Sequence, residues 1–291
     1  MKKLTLKHFM IAFAYFLFSI IALQAQKPKM IKLRHVDSFT IKSKYNHKNY
    51  VVNIILPTSY SKNDSISYPV LYVLDGKFST ASFYAIKESF ELSKEVKDVV
   101  IVTIDNKVNT QNEWLMARHY DYTPSNDSIA DKGIANFFKL PADKMKSGGA
   151  NLFLTTLENE IIPFVEKRYK LTHERGIFGH SLGGLFVGYC LLKRPHLFQK
   201  YSLNSPSFWW KNSEIINLFK SETGSSYQTK VFISAGQVEG DFMVRPVKSV
   251  VKMFNEKYLN MNITEKIFED ETHISVVPMA TSKSLKVLYS R

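Results

Sequence analysis

Between residues 30 and 289 the chain alternates short, β-branched, wholly apolar runs with longer segments of helical periodicity. The runs cover residues 70–74 in "YPVLYVLDG", 99–104 in "DVVIVTIDN", 176–178 ahead of "GHSLGG" and 230–236 in "KVFISAG". Residues 30–42, 49–57 and 262–270 add three further strand-like stretches. Consecutive apolar residues are buried on both faces of a sheet, the habit of parallel strands. Helical spacing falls at 80–92, 152–169, 182–192, 244–259 and 275–289, with Pro163 predicting a kink or a new turn in the second. This alternation predicts an α/β sandwich: a mostly parallel central sheet with helices on both faces. No repeat or low-complexity linker interrupts it, so residues 27–291 read as one domain. Residues 106–149 stand apart, being polar and aromatic, and long for a loop. Such a segment predicts a lid or binding insertion.

The first 25 residues predict a secretory signal peptide. Lys2, Lys3 and Lys7 form a basic start, residues 9–23 are apolar, and Ala25 offers a small residue for cleavage. About fifteen apolar residues fall short of the roughly twenty that a spanning helix needs. No cysteine follows to carry a lipid. The expectation is export to the periplasm or the extracellular space, with no stable membrane insertion after cleavage. The only cysteine, Cys190, excludes an intramolecular disulfide and a cysteine-based metal site, and reads as a buried small hydrophobe. The net charge of +13 falls to about +10 without the signal lysines. The remaining basic residues are scattered and no nucleic-acid-binding motif occurs, which points to solubility or mild attraction of anionic substrates. Nothing in the sequence bears on the oligomeric state.

Chemistry is concentrated in "GIFGHSLGGLFVGYCLL", where Gly179-His180-Ser181-Leu182-Gly183 follows a strand-like run and opens a helix-like one. A G-x-S-x-G sequence between a strand and a helix forms a sharp elbow that presents the serine, and its glycines allow backbones to approach closely. The partners of such a serine follow it in the order acid, then histidine. His273, in "FEDETHISVVP", is the one histidine beyond the last strand-like run, 92 residues after Ser181. The acid belongs at the carboxyl end of "KVFISAG". Glu239 is the first choice there and Asp241 the alternative, and a Ser–His dyad with weak acid support is a third arrangement. An oxyanion hole requires two backbone N–H groups. Leu182 would provide one, and the turn at Gly76 and Lys77 after "VLYVLDG" the other. No metal or cofactor is called for.

With these residues in view, the chain resembles the esterase D / enterochelin (siderophore) esterase-like family of α/β-hydrolases. The resemblance runs from about Val51 to Leu288 through "YPVLYVLDG", "ARHYDYTP", "SGGANLFLTTLENEIIPFVEKRY", "GIFGHSLGGLFVGYCLLKRPHLFQKYSLNSPSFWW", "VFISAGQVEGD" and "ETHISVVP". It implies the α/β-hydrolase fold, Ser181 as nucleophile and His273 as base, with Glu239 at the position of the acid. It also brings "ARHYDYTP" to the mouth of the site, where Arg118 would bind an anionic substrate or pair with Asp121 to shape the loop. Trp209 and Trp210 would line an acyl or aryl pocket, although adjacent aromatics seldom both face one, so at least one belongs to the core. The implied activity is ester hydrolysis through an acyl-enzyme on a small-molecule substrate such as a siderophore ester. Carbohydrate-linked acetyl or feruloyl esters, acyl transfer to an alcohol, or a binding protein that kept the fold are the alternatives.

Overall fold

The computed structural model describes residues 33–222 and 228–291, together with several helical positions between Lys7 and Tyr15. The cleavage point expected at Ala25 and the first residues of the 30–42 strand lie outside these. By contacts the chain divides into Met1–Arg34 and His35–Arg291, and the second unit holds the elements below. Among the described residues no helix is long and apolar enough to cross a membrane.

In chain order the elements are β1 (Val36–Lys42), β2 (Asn49–Ile55), β3 (Tyr68–Val73), α1 (Gly76–Ser93), β4 (Val100–Asn106), α2 (Gln111–Tyr122) and α3 (Ser128–Phe138). Next come α4 (Ala150–Thr156), a π-helical turn (Leu157–Ile161) and α5 (Ile162–Glu166). After these are β5 (Leu171–His180), α6 (Leu182–Lys193), β6 (Lys200–Asn204), α7 (Trp210–Ser221) and β7 (Thr229–Gly236). A 3-10 turn (Gln237–Glu239), α8 (Asp241–Lys257), β8 (Met261–Phe268) and α9 (Val276–Tyr289) complete the unit. The strands form one eight-stranded sheet in the order β1-β2-β4-β3-β5-β6-β7-β8. β2 runs antiparallel to both its neighbours, and every pairing from β4 to β8 is parallel.

Side-chain alternation divides each central strand between two cores. Val70, Tyr72 and Leu74 join a core with Phe153 of α4, Leu185 and Phe186 of α6, and Phe254 of α8. Leu71 and Val73 join the opposite core, with Phe83 and Phe90 of α1 and Leu285 and Leu288 of α9. This double-sided burial is why β3 is apolar throughout, whereas β6 also buries Ser202 and Asn204. The expected α/β-hydrolase architecture is therefore present, with helices on both faces.

The polar segment at 106–149 is not an open loop. It carries α2 and α3, and Trp114, His119, Asp121 and Tyr122 of α2 are buried. Thr110 starts α2 with a capping box: its Oγ1 accepts the Glu113 N–H, and Glu113 accepts the Thr110 N–H in return. Asp127 caps α3 through the N–H groups of Ile129 and Ala130. The buried His119 Nε2 lies 2.7 Å from Asp131 Oδ1 and ties the two helices together. Pro163 sits in the first turn of α5, directly after the π-helical turn, where its missing N–H and its ring are accommodated.

Candidate active site

Ser181 occupies the turn between β5 and α6 with φ 60° and ψ −122°, a conformation rare for a residue with a side chain. The surroundings impose it. A Cβ on Gly179 would lie 2.2 Å from the Gly183 carbonyl oxygen, so only glycine permits the strand to turn this tightly into the helix. The Ser181 N–H donates to the Asn204 carbonyl at the end of β6, and the Ser181 carbonyl accepts the N–H of Leu185. The serine is thus clamped between the adjacent strand and its own helix.

Three side chains converge from three strand ends. His273, in the turn between β8 and α9, places Nε2 2.9 Å from Ser181 Oγ. Its Nδ1 lies 2.5 Å from Glu239 Oε2. Those distances assign the tautomer: Nδ1–H donates to Glu239, and Nε2 accepts the Ser181 hydroxyl. The Glu239 side chain is 1% exposed and that of His273 38%, so the acid end of the pair is sealed while the histidine is partly open. Burial pushes the Glu239 carboxyl up. Hydrogen bonds from His273, the Ser205 hydroxyl and the Gly236 N–H outweigh it and hold the group below its ordinary range. Asp241, the alternative acid, is 70% exposed and paired with Arg245 one helical turn on. Of the two carboxylates, the structure brings only Glu239 to the histidine.

His180 packs its ring against His273, centroids 4.6 Å apart. Its ring nitrogens are buried and reach no hydrogen-bond partner in good geometry, with the His273 backbone the polar group nearest in effect. Burial, and then the charge His273 would carry, push it down to about 3. It stays neutral and forms an aromatic wall behind His273.

Leu182 and Gly76 are the first residues of α6 and α1, positions whose N–H groups have no intrahelical acceptor. The two helix starts adjoin: a Cβ on Gly183 would sit 3.3 Å from Asp75 Oδ2 and 3.6 Å from Leu74. Lys77 differs from expectation. Its N–H donates to Asp105 Oδ2 at 2.6 Å and is not free for an oxyanion. Its ammonium donates to Gln111.

Arg118 does not pair with Asp121. Its Nε and Nη2 grip both oxygens of Asp75 at 2.8 and 2.9 Å, and its guanidinium lies over Trp114 and Tyr122. Asp121 instead meets Lys48, the Tyr50 hydroxyl and Asn106. Asp105 accepts from Lys77 N–H, Asn106 N–H and Trp114 Nε1–H. Burial, then the Asp75 charge, still push it up to about 6. Asp105 and Tyr122 (whose hydroxyl accepts the Asp75 N–H) are parts of the site that the sequence did not point to, and Asp75 was expected there only as the tight-turn residue before Gly76. The strand-end Asp-Gly in "VLYVLDG" was the available signal for Asp75, but its partner is 43 residues away.

Trp210 is fully buried against His119 and belongs to the core, not to an acyl or aryl pocket. Its neighbour Trp209 is half-buried and stacks on the exposed Phe242, 5.8 Å between centroids. Ser207, also unnamed by the sequence reading, brings its hydroxyl to 3.5 Å from Ser181 Oγ. Among the described residues no cluster of metal-ligating side chains occurs.

Comparison with known proteins gives the family. Residues 43–274 match the family model "Putative esterase". Ferri-bacillibactin esterase BesA of Bacillus subtilis is 28% identical, over 82% of this chain and 85% of its own. The crystal structure of the BES protein from Bacillus cereus superposes with TM-score 0.76 at 27% identity, over 92% of this chain and all of that one. The siderophore hydrolase EstB of Aspergillus nidulans shares the fold, with TM-score 0.73 at 18% identity over 90% and 97% of the two chains. With most of its length inside the family model, the chain belongs to the "Putative esterase" family, in its enterochelin esterase-like branch of α/β-hydrolases.

Proposed function

We propose that the protein is a serine carboxylic-ester hydrolase that works through an acyl-enzyme on Ser181. The observation that carries this reading is the unbroken hydrogen-bond line from Ser181 Oγ through His273 to Glu239. His273 Nε2 takes the hydroxyl proton as Ser181 Oγ bonds to the ester carbonyl carbon. Glu239, held ionised by its donors, keeps the ring in the needed tautomer and stabilises the imidazolium. The N–H groups of Leu182 and Gly76 receive the oxyanion. The imidazolium returns its proton to the departing alcohol as the C–O bond breaks. Water then repeats the sequence on the acyl-enzyme and frees the acid and Ser181.

For the substrate we favour siderophore-type esters, in keeping with the names of the relatives. The basic net charge, +13 for the full chain and about +10 without the signal lysines, favours anionic ligands. Exposed Phe78, Phe242 and Ile274 follow closely on Lys77, Asp241 and His273 and would offer apolar contact to aryl groups at the rim, with Trp209 behind Phe242. An N-terminal signal would put this activity outside the cytoplasm, which cell fractionation with a tagged full-length chain checks.

The test is hydrolysis of p-nitrophenyl acetate and of a panel holding a triscatecholate trilactone, acetyl-xylan and feruloyl esters, by wild type and Ser181→Ala. The reading predicts trilactone cleavage foremost and no turnover by the variant. Equal turnover by Ser181→Ala would sink it.

A further inference from the structure

Ser205 lies immediately after β6, and its backbone is unusual. Its φ is 40°, in the left-handed region where glycine is the expected residue. The chain is pinned there from both sides. The Ser205 N–H donates to the Ser234 carbonyl at 2.7 Å, and the carbonyl of the preceding Asn204 accepts the Ser181 N–H. Asn204 is itself fixed: its Nδ2 donates to Ser202 Oγ and the Gly179 carbonyl, and its Oδ1 accepts the Ser234 hydroxyl. The side chain of this strained residue is fully buried. It points at Glu239, and Ser205 Oγ donates to Oε1 at 2.5 Å.

The chemistry of the acid explains what such a donor does. A glutamate carboxylate rotates broadly about its last torsion. One hydrogen bond to His273 leaves that rotation free. Here the Gly236 N–H at 2.7 Å and the Ser205 hydroxyl converge on Oε1, which fixes the carboxylate plane and leaves Oε2 aimed at His273 Nδ1. Backbone geometry alone supplies only the Gly236 donor. We propose that Ser205 is a positioning residue for the reaction, retained at a strained site because its hydroxyl sets the orientation of Glu239. The inference rests on the serine-hydrolase reading of Ser181, His273 and Glu239. It adds a residue from a fourth strand end, one that touches neither substrate nor nucleophile.

Ser205→Ala removes the hydroxyl and keeps the strain. Ser205→Gly removes both. The expected result is a kcat on p-nitrophenyl acetate lowered roughly tenfold to a hundredfold in both variants, with KM within about twofold. Ser205→Gly should melt at or above the wild-type temperature, which separates lost activity from lost folding. The acidic limb of the kcat/KM–pH profile should move to lower pH, because a rotated carboxylate no longer supports the imidazolium. A donor that only damped the Glu239 charge would move that limb the other way, since the carboxylate left in place would hold a proton on His273 more strongly. A kcat within twofold of wild type in both variants, or a limb shifted to higher pH, overturns the proposal. Ser181→Ala in the same assay keeps the two claims apart. If it is inert while the Ser205 variants match wild type, only the positioning role fails. If it turns over normally, the reading beneath fails.

Discussion

Glu239 and Asp75 both stand at carboxyl ends of the sheet, and they are built in opposite ways. Glu239 receives neutral or proton-sharing donors and faces a histidine that is open to the substrate side. Asp75 is closed on itself by a bidentate arginine, walled by Trp114 and Tyr122, with a second buried acid, Asp105, beside it. In the proposed mechanism the first arrangement lets a proton move between Ser181 and His273. The second fixes Asp75 from two sides and holds it, with the Gly76 turn that follows, beside the β5–α6 elbow. On the proposed mechanism, the difference teaches that burial of charge near Ser181 serves two ends: tuning the base, and stiffening the frame around it.

Breaking the first arrangement should have the largest effect. His273→Ala is expected to lower kcat/KM by about 10⁴-fold or more, while the melting temperature barely moves. Glu239→Gln keeps the shape but favours the wrong tautomer, and a loss of roughly 10²- to 10⁴-fold is expected from steady-state kinetics. Breaking the second arrangement should show in stability first. Arg118→Met leaves Asp75 without its partner beside Asp105, and urea unfolding should report a loss of about 3–5 kcal/mol. The two regions should also titrate with opposite sign. Asp105 is raised in the folded state, to about 6, so it favours folding below its unfolded value of 3.8 and that stability is lost as pH rises through 6. Glu239 is lowered, so its contribution is present above its unfolded value of 4.5 and is lost as pH falls through the folded value. Asp105→Asn should therefore flatten the decline of the urea midpoint between pH 4 and 6, and Glu239→Gln should flatten the loss at lower pH. Asp241→Asn, on an exposed side chain outside both regions, should leave kcat/KM within about twofold.

Seven of the eight strands and the order serine, acid, histidine were legible in the sequence because they follow from local pattern and chain topology; β6, "KYSLN", was not among the expected runs because polar and apolar residues alternate along it. Wholly apolar runs mark strands buried on both faces, and only His273 lies past the last of them. The choice of Glu239 over Asp241 was less so. Two residues of loop decide which carboxylate turns inward, and the 3-10 turn at Gln237–Glu239 that does so has no strong sequence mark. The Arg118–Asp75 pair was hidden by its separation, and Asp121 looked the better partner because it was nearer in the chain. Lys77 failed as an oxyanion donor because Asp105, at the end of a neighbouring strand, takes its N–H. Helices α2 and α3 were masked by polar composition, although the Thr110–Glu113 capping box was there to be read. Trp209 and Trp210 differ only in which way a turn at the start of α7 directs them, something that adjacent identical residues do not reveal.

The central claim is that Ser181 becomes acylated. Wild type mixed with excess p-nitrophenyl acetate and quenched in acid within the first turnover, then digested and weighed by mass spectrometry, tests it most directly. The account predicts an acetyl group on the peptide bearing Ser181, formed with a burst of nitrophenol and absent from Ser181→Ala. Turnover at the wild-type rate with Ser181 unmodified, or an acetyl group carried by another residue, would contradict it.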